Sequence, residues 1–326
     1  MISVIIPVYN GEIYIEDIFR CFQSQSYKNF ELIFINDGST DDSLYQIKKY
    51  ARNVDFDVKI INQNNQGVCV ARNRGIEESI GDYICFCDVD DLIHDDFLLL
   101  LHKNIIKERD CDVAICGTKV IKSNDEYFNS KNVSYKSTTL YYNSSDALIM
   151  YLYGVFKTGV WGAIYKSELV KDNKLLFEVG YKYSEDLHYM WRILGLSKKI
   201  ALMSEPLYYY KWNAGSAMSK FNKSRFDGYI LMQKLNLFWN SVNPSFGVLF
   251  KKYAPARIMW SVMRQASCKM PYKDFKLFFV DYDLRKEMKK LLSFRERKVA
   301  LSAFIYLLCP FLFYQVARNI GKEKVH

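Results

Sequence analysis

The 326-residue chain contains no Gly-x-Gly and no Gly-Lys-Ser/Thr anywhere. The first absence excludes the dinucleotide fingerprint of a dehydrogenase and the second a P-loop, because both need glycine where backbone amides close on phosphate. The eight cysteines form no Cys-x-x-Cys pair and no Cys/His zinc spacing. They read as buried free thiols of a reducing cytosol. No nucleic-acid signature organises the basic residues, although the net charge is +9. These residues are spread out, with some concentration after Lys251. A basic face toward an anionic membrane or a phosphorylated substrate fits that pattern better than nucleic acid does. No signal peptide is expected, since Met1-Ile2-Ser3-Val4 passes straight into a strand.

What is present is ordinary globular composition, 50% hydrophobic and 25% charged. That is core material for two domains, or for one large α/β domain with an appendage. Aromatics reach 16%, a content that fills core and also suits the flat faces of sugar rings.

Apolar runs and helical periodicities alternate through the first 117 residues. Strands are expected at 3–10, 31–36, 58–62, 81–91 and 112–116. Between them stand helices at 13–23, from Ser43 to about Arg52, around Arg72-Asn73-Arg74, and at 95–107. Five alternations imply an α/β class with a doubly wound, mainly parallel sheet. After Gly117 the rhythm breaks, and the polar stretch 118–145 reads as an irregular excursion or hairpin. A helix is expected near 146–153, another opened by Ser184-Glu185-Asp186, and mainly helical segments from Arg225 onward.

The most informative stretch is Gly81-Asp82-Tyr83-Ile84-Cys85-Phe86-Cys87-Asp88-Val89-Asp90-Asp91. Its apolar run reads as a buried parallel strand, and three carboxylates follow within four positions at the edge where open α/β sheets bind ligands. Acidic side chains crowded there repel one another unless a cation sits among them. Oxygen ligands alone favour a hard divalent ion, Mg²⁺ or Mn²⁺, which keeps part of its coordination for phosphates.

Four ordered motifs carry a family resemblance: Ser-Val-Ile-Ile-Pro-Val-Tyr-Asn at 3–10, Asp-Gly-Ser-Thr-Asp-Asp-Ser at 37–43, Asn-Gln-Gly-Val-Cys-Val-Ala-Arg-Asn-Arg-Gly at 65–75 and Asp-Val-Asp-Asp at 88–91. Together they resemble family 2 glycosyltransferases, densely over the first third and more loosely to about Ser219. The resemblance implies a GT-A fold, a nucleotide-diphosphate sugar donor, a divalent metal and inversion at the anomeric carbon. It puts Pro7, Val8 and Tyr9 around the base and Asp37 on it, usually as uracil. By the same match Asp90 binds the metal, and Asp88 reaches the ribose or a metal-bound water. Asp91 is expected to cap the next helix, and Asp41 and Asp42 to be turn residues. Arg72 is expected either to pair with the diphosphate or to hold Asp88, and Arg74 to lie on a helix surface.

Inverting transfer also needs a base for the acceptor hydroxyl. The Glu185-Asp186 pair resembles the family's pair at a helix start, which makes Asp186 the base and Glu185 its support. A helix N-terminus would keep the Asp186 carboxyl ionised. Trp161 matches an aromatic position near the acceptor, with core packing as the alternative. Tyr208 to Ser216 resembles a loop that closes over the diphosphate, with Lys211 where many relatives carry Arg. Lysine keeps the charge and loses the bidentate fork. A sugar nucleotidyltransferase would want a glycine-rich loop where Pro7-Val8-Tyr9-Asn10-Gly11 stands. A non-catalytic scaffold would have lost the metal carboxylate or the base, and both are kept.

The expected organisation is a nucleotide-sugar half at 1–117, an acceptor half at 118–220 and a helical region at 221–326. Within the last, Val299 to Ala317 is uncharged and aromatic, with Arg295, Arg297 and Lys298 before it and Arg318, Lys322 and Lys324 after. A spanning helix needs about 20 apolar residues, and Pro310 interrupts this one. The segment 295–326 therefore reads as lying in a membrane interface, with a packed helix pair as the alternative. The implied acceptor is a glycan or a polyprenyl-linked saccharide at the cytoplasmic face of the membrane, as in capsule or exopolysaccharide synthesis.

Overall fold

The structure, a computed structural model, describes residues 1–131, 138–212 and 221–323. The chain divides into two compact units. The first holds residues 1–147, 157–179 and 189–214, the second residues 148–156, 180–188 and 215–326.

The strands are β1 (Ile2–Val8), β2 (Phe30–Asp37), β3 (Asp57–Gln63), β4 (Tyr83–Phe86), β5 (Leu92–Ile93), β6 (Cys111–Ile121), β7 (Thr139–Asn143), β8 (Ala163–Lys166) and β9 (Lys199–Lys211). The helices of the first half are α1 (Ile15–Gln23), α2 (Ser43–Ala51), α3 (Val68–Glu78), α4 (Phe97–Lys107), α5 (Asn124–Lys131), α6 (Ser144–Leu152), α7 (Ser167–Asp172) and α8 (Glu185–Leu196). All the strands join one sheet in the order β3-β2-β1-β4-β8-β6-β9-β5, with β7 on β9. β3, β2, β1 and β4 run parallel, as do β6 and β9, while β8 lies antiparallel between β4 and β6. The sheet is thus mixed and mainly parallel, with helices on both faces.

The alternation of side chains along β2 shows how the layers are built. Leu32 and Phe34 join Ile15, Ile18, Phe19 and Phe22 of α1 in one core, and Ile33 and Ile35 meet Ala71 of α3 on the other face. Every residue of β2 is buried, as a strand covered on both faces requires. On the α3 side Gly75 sits directly on β1, where a Cβ would come within 2.2 Å of the Ile5 Cγ2.

Three expectations need correction. The fourth strand ends at Phe86 and not at Asp91, because past Cys87 the backbone leaves the ladder and the Asp88 amide donates to the Tyr208 hydroxyl at 3.2 Å. The strand expected to stop at Cys116 runs on to Ile121, since β9 supplies partners through a register shift at Gly117. A Cβ on Gly117 would lie 2.9 Å from the Glu205 carbonyl oxygen, so the bulge needs glycine. The polar stretch after it holds α5 and β7, and β7 pairs antiparallel with β9.

In the second unit the helices are α9 (Asp227–Val242), α10 (Pro244–Lys269), α11 (Tyr272–Phe278), α12 (Leu284–Leu291), α13 (Arg297–Leu308) and α14 (Pro310–Glu323). The 26-residue α10 is the axis on which α9, α12 and α14 pack. It buries Phe250, Ala256, Met259 and Met263 along its length. Pro310 opens α14, where its missing N–H costs nothing.

Candidate functional site

The site grows from loops at the carboxyl ends of β1, β2 and β4. β1 delivers Pro7 opposite Ile35 and Val8 opposite Asn36, and Tyr9 then emerges 53% exposed. Asn10 takes a left-handed turn with φ of 51°. From there the first two loops are laced together. The amides of Asn10, Gly11 and Glu12 donate to Ser39 Oγ at 3.0 Å, Ser43 Oγ at 2.9 Å and Asp41 Oδ2 at 3.1 Å. In return the Thr40 and Asp42 amides donate to Asn10 Oδ1 at 2.8 Å and Glu12 Oε2 at 2.7 Å. Asp41, expected to be a turn residue, therefore ties the loop of Tyr9 to that of Asp37. Its carboxyl is held below the usual range by hydrogen bonds from Ser43 and Glu12, against the opposing effect of burial.

Asp37 is buried at the end of β2. Its Oδ1 accepts from Gln63 Nε2 at 2.7 Å and the Gln66 amide at 2.9 Å, and its Oδ2 accepts from the Gly67 amide at 2.8 Å. A carboxylate offers about four acceptor positions, so three bonds leave room for about one more. Gly38, at φ of 68°, brings the turn so close to Asn65 that a Cβ would lie 2.6 Å from its amide nitrogen.

Arg72 lies against the acidic loop. Its guanidinium is buried and donates to Asp88 Oδ1 at 2.8 Å, with the Phe177 ring 5.3 Å away. Asn73 holds Phe177 in turn, donating to its carbonyl at 3.0 Å and accepting from its amide at 2.7 Å. Arg74 pairs with Glu77 and Glu78 on the outer face of α3, as a surface residue does.

Asp91 is not a helix cap. The N-cap of α4 is Asp96, while Asp91 is buried, with Oδ2 accepting from the Tyr208 hydroxyl at 2.7 Å and Oδ1 from the Lys211 amide at 2.9 Å. Burial, then the Asp88 and Asp90 charges, push its carboxyl well above the ordinary range. The Tyr208 hydroxyl also accepts from the Asp88 amide, so one oxygen bridges the acidic loop at two points and locks it to β9. Trp161 stacks on Tyr208 and Tyr210 at ring distances of 5.1 and 5.8 Å, and bridges to Phe86 at the end of β4. Lys211 donates to Asn124 Oδ1 at 2.8 Å and stands 5.6 Å from the Tyr14 ring. Burial, then the Asp90 charge, raises the Tyr14 hydroxyl, which puts Asp90 in the same neighbourhood. Residues 213–216 of the expected closing loop lie outside the described residues.

The first unit thus brings together Arg72, Asp88, Asp90, Asp91, Tyr208, Trp161 and Lys211, with Asp37 at the end of β2 and Tyr9 on the loop after β1. Glu185 and Asp186 belong to the second unit, at the start of α8. Asp186 Oδ1 accepts from the Leu187 amide at 2.7 Å. The turn before it is built from Ser184 at φ of 66°, whose hydroxyl would meet a Cβ on Gly228 at 2.5 Å. Arg225 lies over Tyr183 at 4.1 Å and Lys234 over Tyr181 at 4.9 Å, so cations on aromatic rings frame this turn. His188 is buried one helical turn in.

Residues 3–166, just over half the chain, match the profile of Glycosyl transferase family 2. The chain belongs to glycosyl transferase family 2. Glycosyltransferase GlyA of Streptococcus pneumoniae is 32% identical over 222 residues, 66% of this family 2 chain and 31% of GlyA. The chain therefore spans under a third of that relative's length. The fold matches Staphylococcus aureus TarS 1–349 with a TM-score of 0.68 at 19% identity, over 99% of this chain and 91% of that one. The same TarS fragment has been solved with UDP-GlcNAc. Mannosyltransferase PcManGT from Pyrobaculum calidifontis, solved with GDP-Man and Mn²⁺, matches with a TM-score of 0.56 at 15% identity, over 95% of this chain and 87% of that one. The fold is GT-A.

Among the described residues no three His, Cys, Asp or Glu side chains cluster as a complete protein cage for a metal. Mg²⁺ and Mn²⁺ do not need one, because one or two carboxylates plus substrate phosphates complete their shell. Burial raises Asp91 first, and the repulsion from Asp88 and Asp90 that adds to it is what a cation would relieve. The all-oxygen donor set fits a hard divalent ion.

Proposed function

We propose that this chain is an inverting glycosyltransferase that moves a sugar from a nucleotide-diphosphate donor to a glycan or polyprenyl-linked acceptor in surface polysaccharide synthesis. The observation that carries the reading is the acidic loop at the sheet edge, fixed by Arg72 through Asp88 and by Tyr208 through Asp91. UDP is the favoured nucleotide, supported by the TarS complex with UDP-GlcNAc, and the PcManGT complex supports a divalent ion.

In this mechanism Pro7, Val8 and Tyr9 frame the base, Tyr9 with its exposed ring, and Asp37 accepts from it while holding the 63–67 loop. Asp90, with Asp88, would hold Mn²⁺ or Mg²⁺, which supplies charge neutralisation for the departing diphosphate. Arg72 holds Asp88 in place, and Lys211 adds positive charge beside the phosphates. Trp161 offers an aromatic face to the acceptor. Asp186 takes the proton of the acceptor hydroxyl as the new bond forms, and Glu185 supports it. Residues 1–117 make up the nucleotide-sugar half and 118–220 the acceptor half. Residues 221–326 make up the helical C-terminal region, whose tail at 295–326 would hold the enzyme peripherally at the inner face of the cell membrane.

Asp186→Asn tests the assignment of the base. Donor binding persists, and transfer to acceptor falls by about 10² or more. Full activity in that variant removes Asp186 from the mechanism.

A further inference from the structure

A helix packed on a protein buries one stripe and turns a polar face outward. The last two helices do not follow that rule. On α13, Val299, Ala303 and Tyr306 are buried, yet Leu301, Phe304 and Leu308 at i, i+3 and i+7 are 60%, 48% and 69% exposed. On α14, Phe313, Tyr314 and Ala317 are buried, while Leu312, Val316 and Ile320 at i, i+4 and i+8 face outward together with Phe311. One exposed leucine needs no explanation, but seven large apolar side chains between 301 and 320 do.

Charge stands beside these stripes. Residues 284–298 carry Arg285, Lys286, Lys289, Lys290, Arg295, Arg297 and Lys298 against Glu287 and Glu296, seven positive and two negative, a net of +5. Lys290 pairs with Glu287 at 2.7 Å, and Arg285 donates to the Leu307 carbonyl at 3.1 Å, which ties the basic helix to the apolar one. Lys286, Lys289, Arg297 and Lys298 are exposed. Among the described residues no helix is long and apolar enough to cross a membrane.

We propose that α12, α13 and α14 form a docking surface for an anionic lipid bilayer. Phe304, Leu308 and Leu312 enter the boundary between headgroups and acyl chains, and the basic residues of 285–298 meet lipid phosphates. A second copy of this chain is the poorer occupant, because the same face would bring one net positive segment against another. The inference gives chemical content to the peripheral placement proposed above, and it rests on that reading.

The full chain is mixed with vesicles of phosphatidylcholine alone or with phosphatidylglycerol, at low and high salt, and bound protein is measured by flotation. Binding is expected to anionic vesicles, to fall by about tenfold or more on neutral ones, and to weaken with salt. The double variant Phe304→Ser, Leu308→Ser loses about tenfold of that binding with an unchanged melting temperature, because both side chains are exposed. Arg297→Glu with Lys298→Glu is a second, fold-neutral probe and loses binding likewise. Failure of the wild-type chain to float, or equal flotation of both variants, overturns the proposal. So does a wild-type dimer that the Ser variant dissociates in sedimentation velocity, which would make a second copy the occupant. Nucleotide binding measured on the same samples separates this failure from failure of the transferase reading.

Discussion

Replacing Tyr208 with phenylalanine removes one oxygen from the point where the acidic loop is fastened to β9. The ring stays, stacked 5.1 Å from Trp161 and tilted 6.0 Å from Phe97, so no sizeable cavity opens. Two hydrogen bonds vanish, that to Asp91 Oδ2 at 2.7 Å and that from the Asp88 amide at 3.2 Å. Asp91 keeps only the Lys211 amide among these partners. A hydrogen bond contributes about 0.5–1.5 kcal/mol net, and a buried partner left orphaned costs about 1–3 kcal/mol. A loss of about 2 kcal/mol is the central expectation, which in a domain of this size lowers the melting temperature by roughly 4–8 °C. Thermal unfolding followed by circular dichroism measures it. A variant that melts within a degree of the wild type would refute the idea that this hydroxyl bridges the loop.

Three further outcomes follow from particular contacts. Gly75→Ala drives a methyl to 2.2 Å from Ile5 Cγ2, so it overpacks the α3–β1 contact and costs about 1–3 kcal/mol, read by urea unfolding. His102, packed 4.6 Å from the Tyr27 ring, has its pKa lowered from 6.5, first by burial, so the folded state binds its proton less readily than the unfolded chain does. Stability is therefore full above pH 6.5 and declines as the pH falls from there toward the lower folded value, and His102→Gln flattens that slope in pH-dependent melts. A thiol reagent added to the native protein labels Cys268 and Cys309 rapidly, and the six buried cysteines only after unfolding. Rapid labelling of Cys85 or Cys87 would contradict the packing of β4 and of the residue that follows it.

The sequence showed most where single elements decide the answer by themselves. Apolar runs at 32–35 and 83–86 pointed to the parallel strands, and the spacing of Ile15, Ile18, Phe19 and Phe22 to the buried face of α1. Arg72 and Asp88 lie sixteen positions apart but on adjacent elements, and their pairing was within reach of the motif spacing. What stayed hidden depends on partners far along the chain. Asp91 looks like any helix-capping aspartate until Tyr208, 117 residues later, arrives beside it. The lacing of Asn10, Gly11 and Glu12 to residues 39–43 joins segments about 30 residues apart, and no local pattern announces it. The extension of β6 past Gly117 depends on a bulged register with β9, which only the folded sheet defines. Two of the eight cysteines, Cys268 and Cys309, are exposed where buried thiols were expected, because they fall on outer faces of C-terminal helices and at a helix junction whose packing partners the sequence leaves open.

The most direct test of the central claim is calorimetric titration of the full chain with UDP, GDP and CDP, each with and without Mn²⁺, in the wild type and in Asp90→Ala. The account predicts that UDP binds, that binding requires the metal, and that Asp90→Ala abolishes it while the protein stays folded. Absence of binding for all three nucleotides, or metal-independent binding that Asp90→Ala leaves intact, would contradict it.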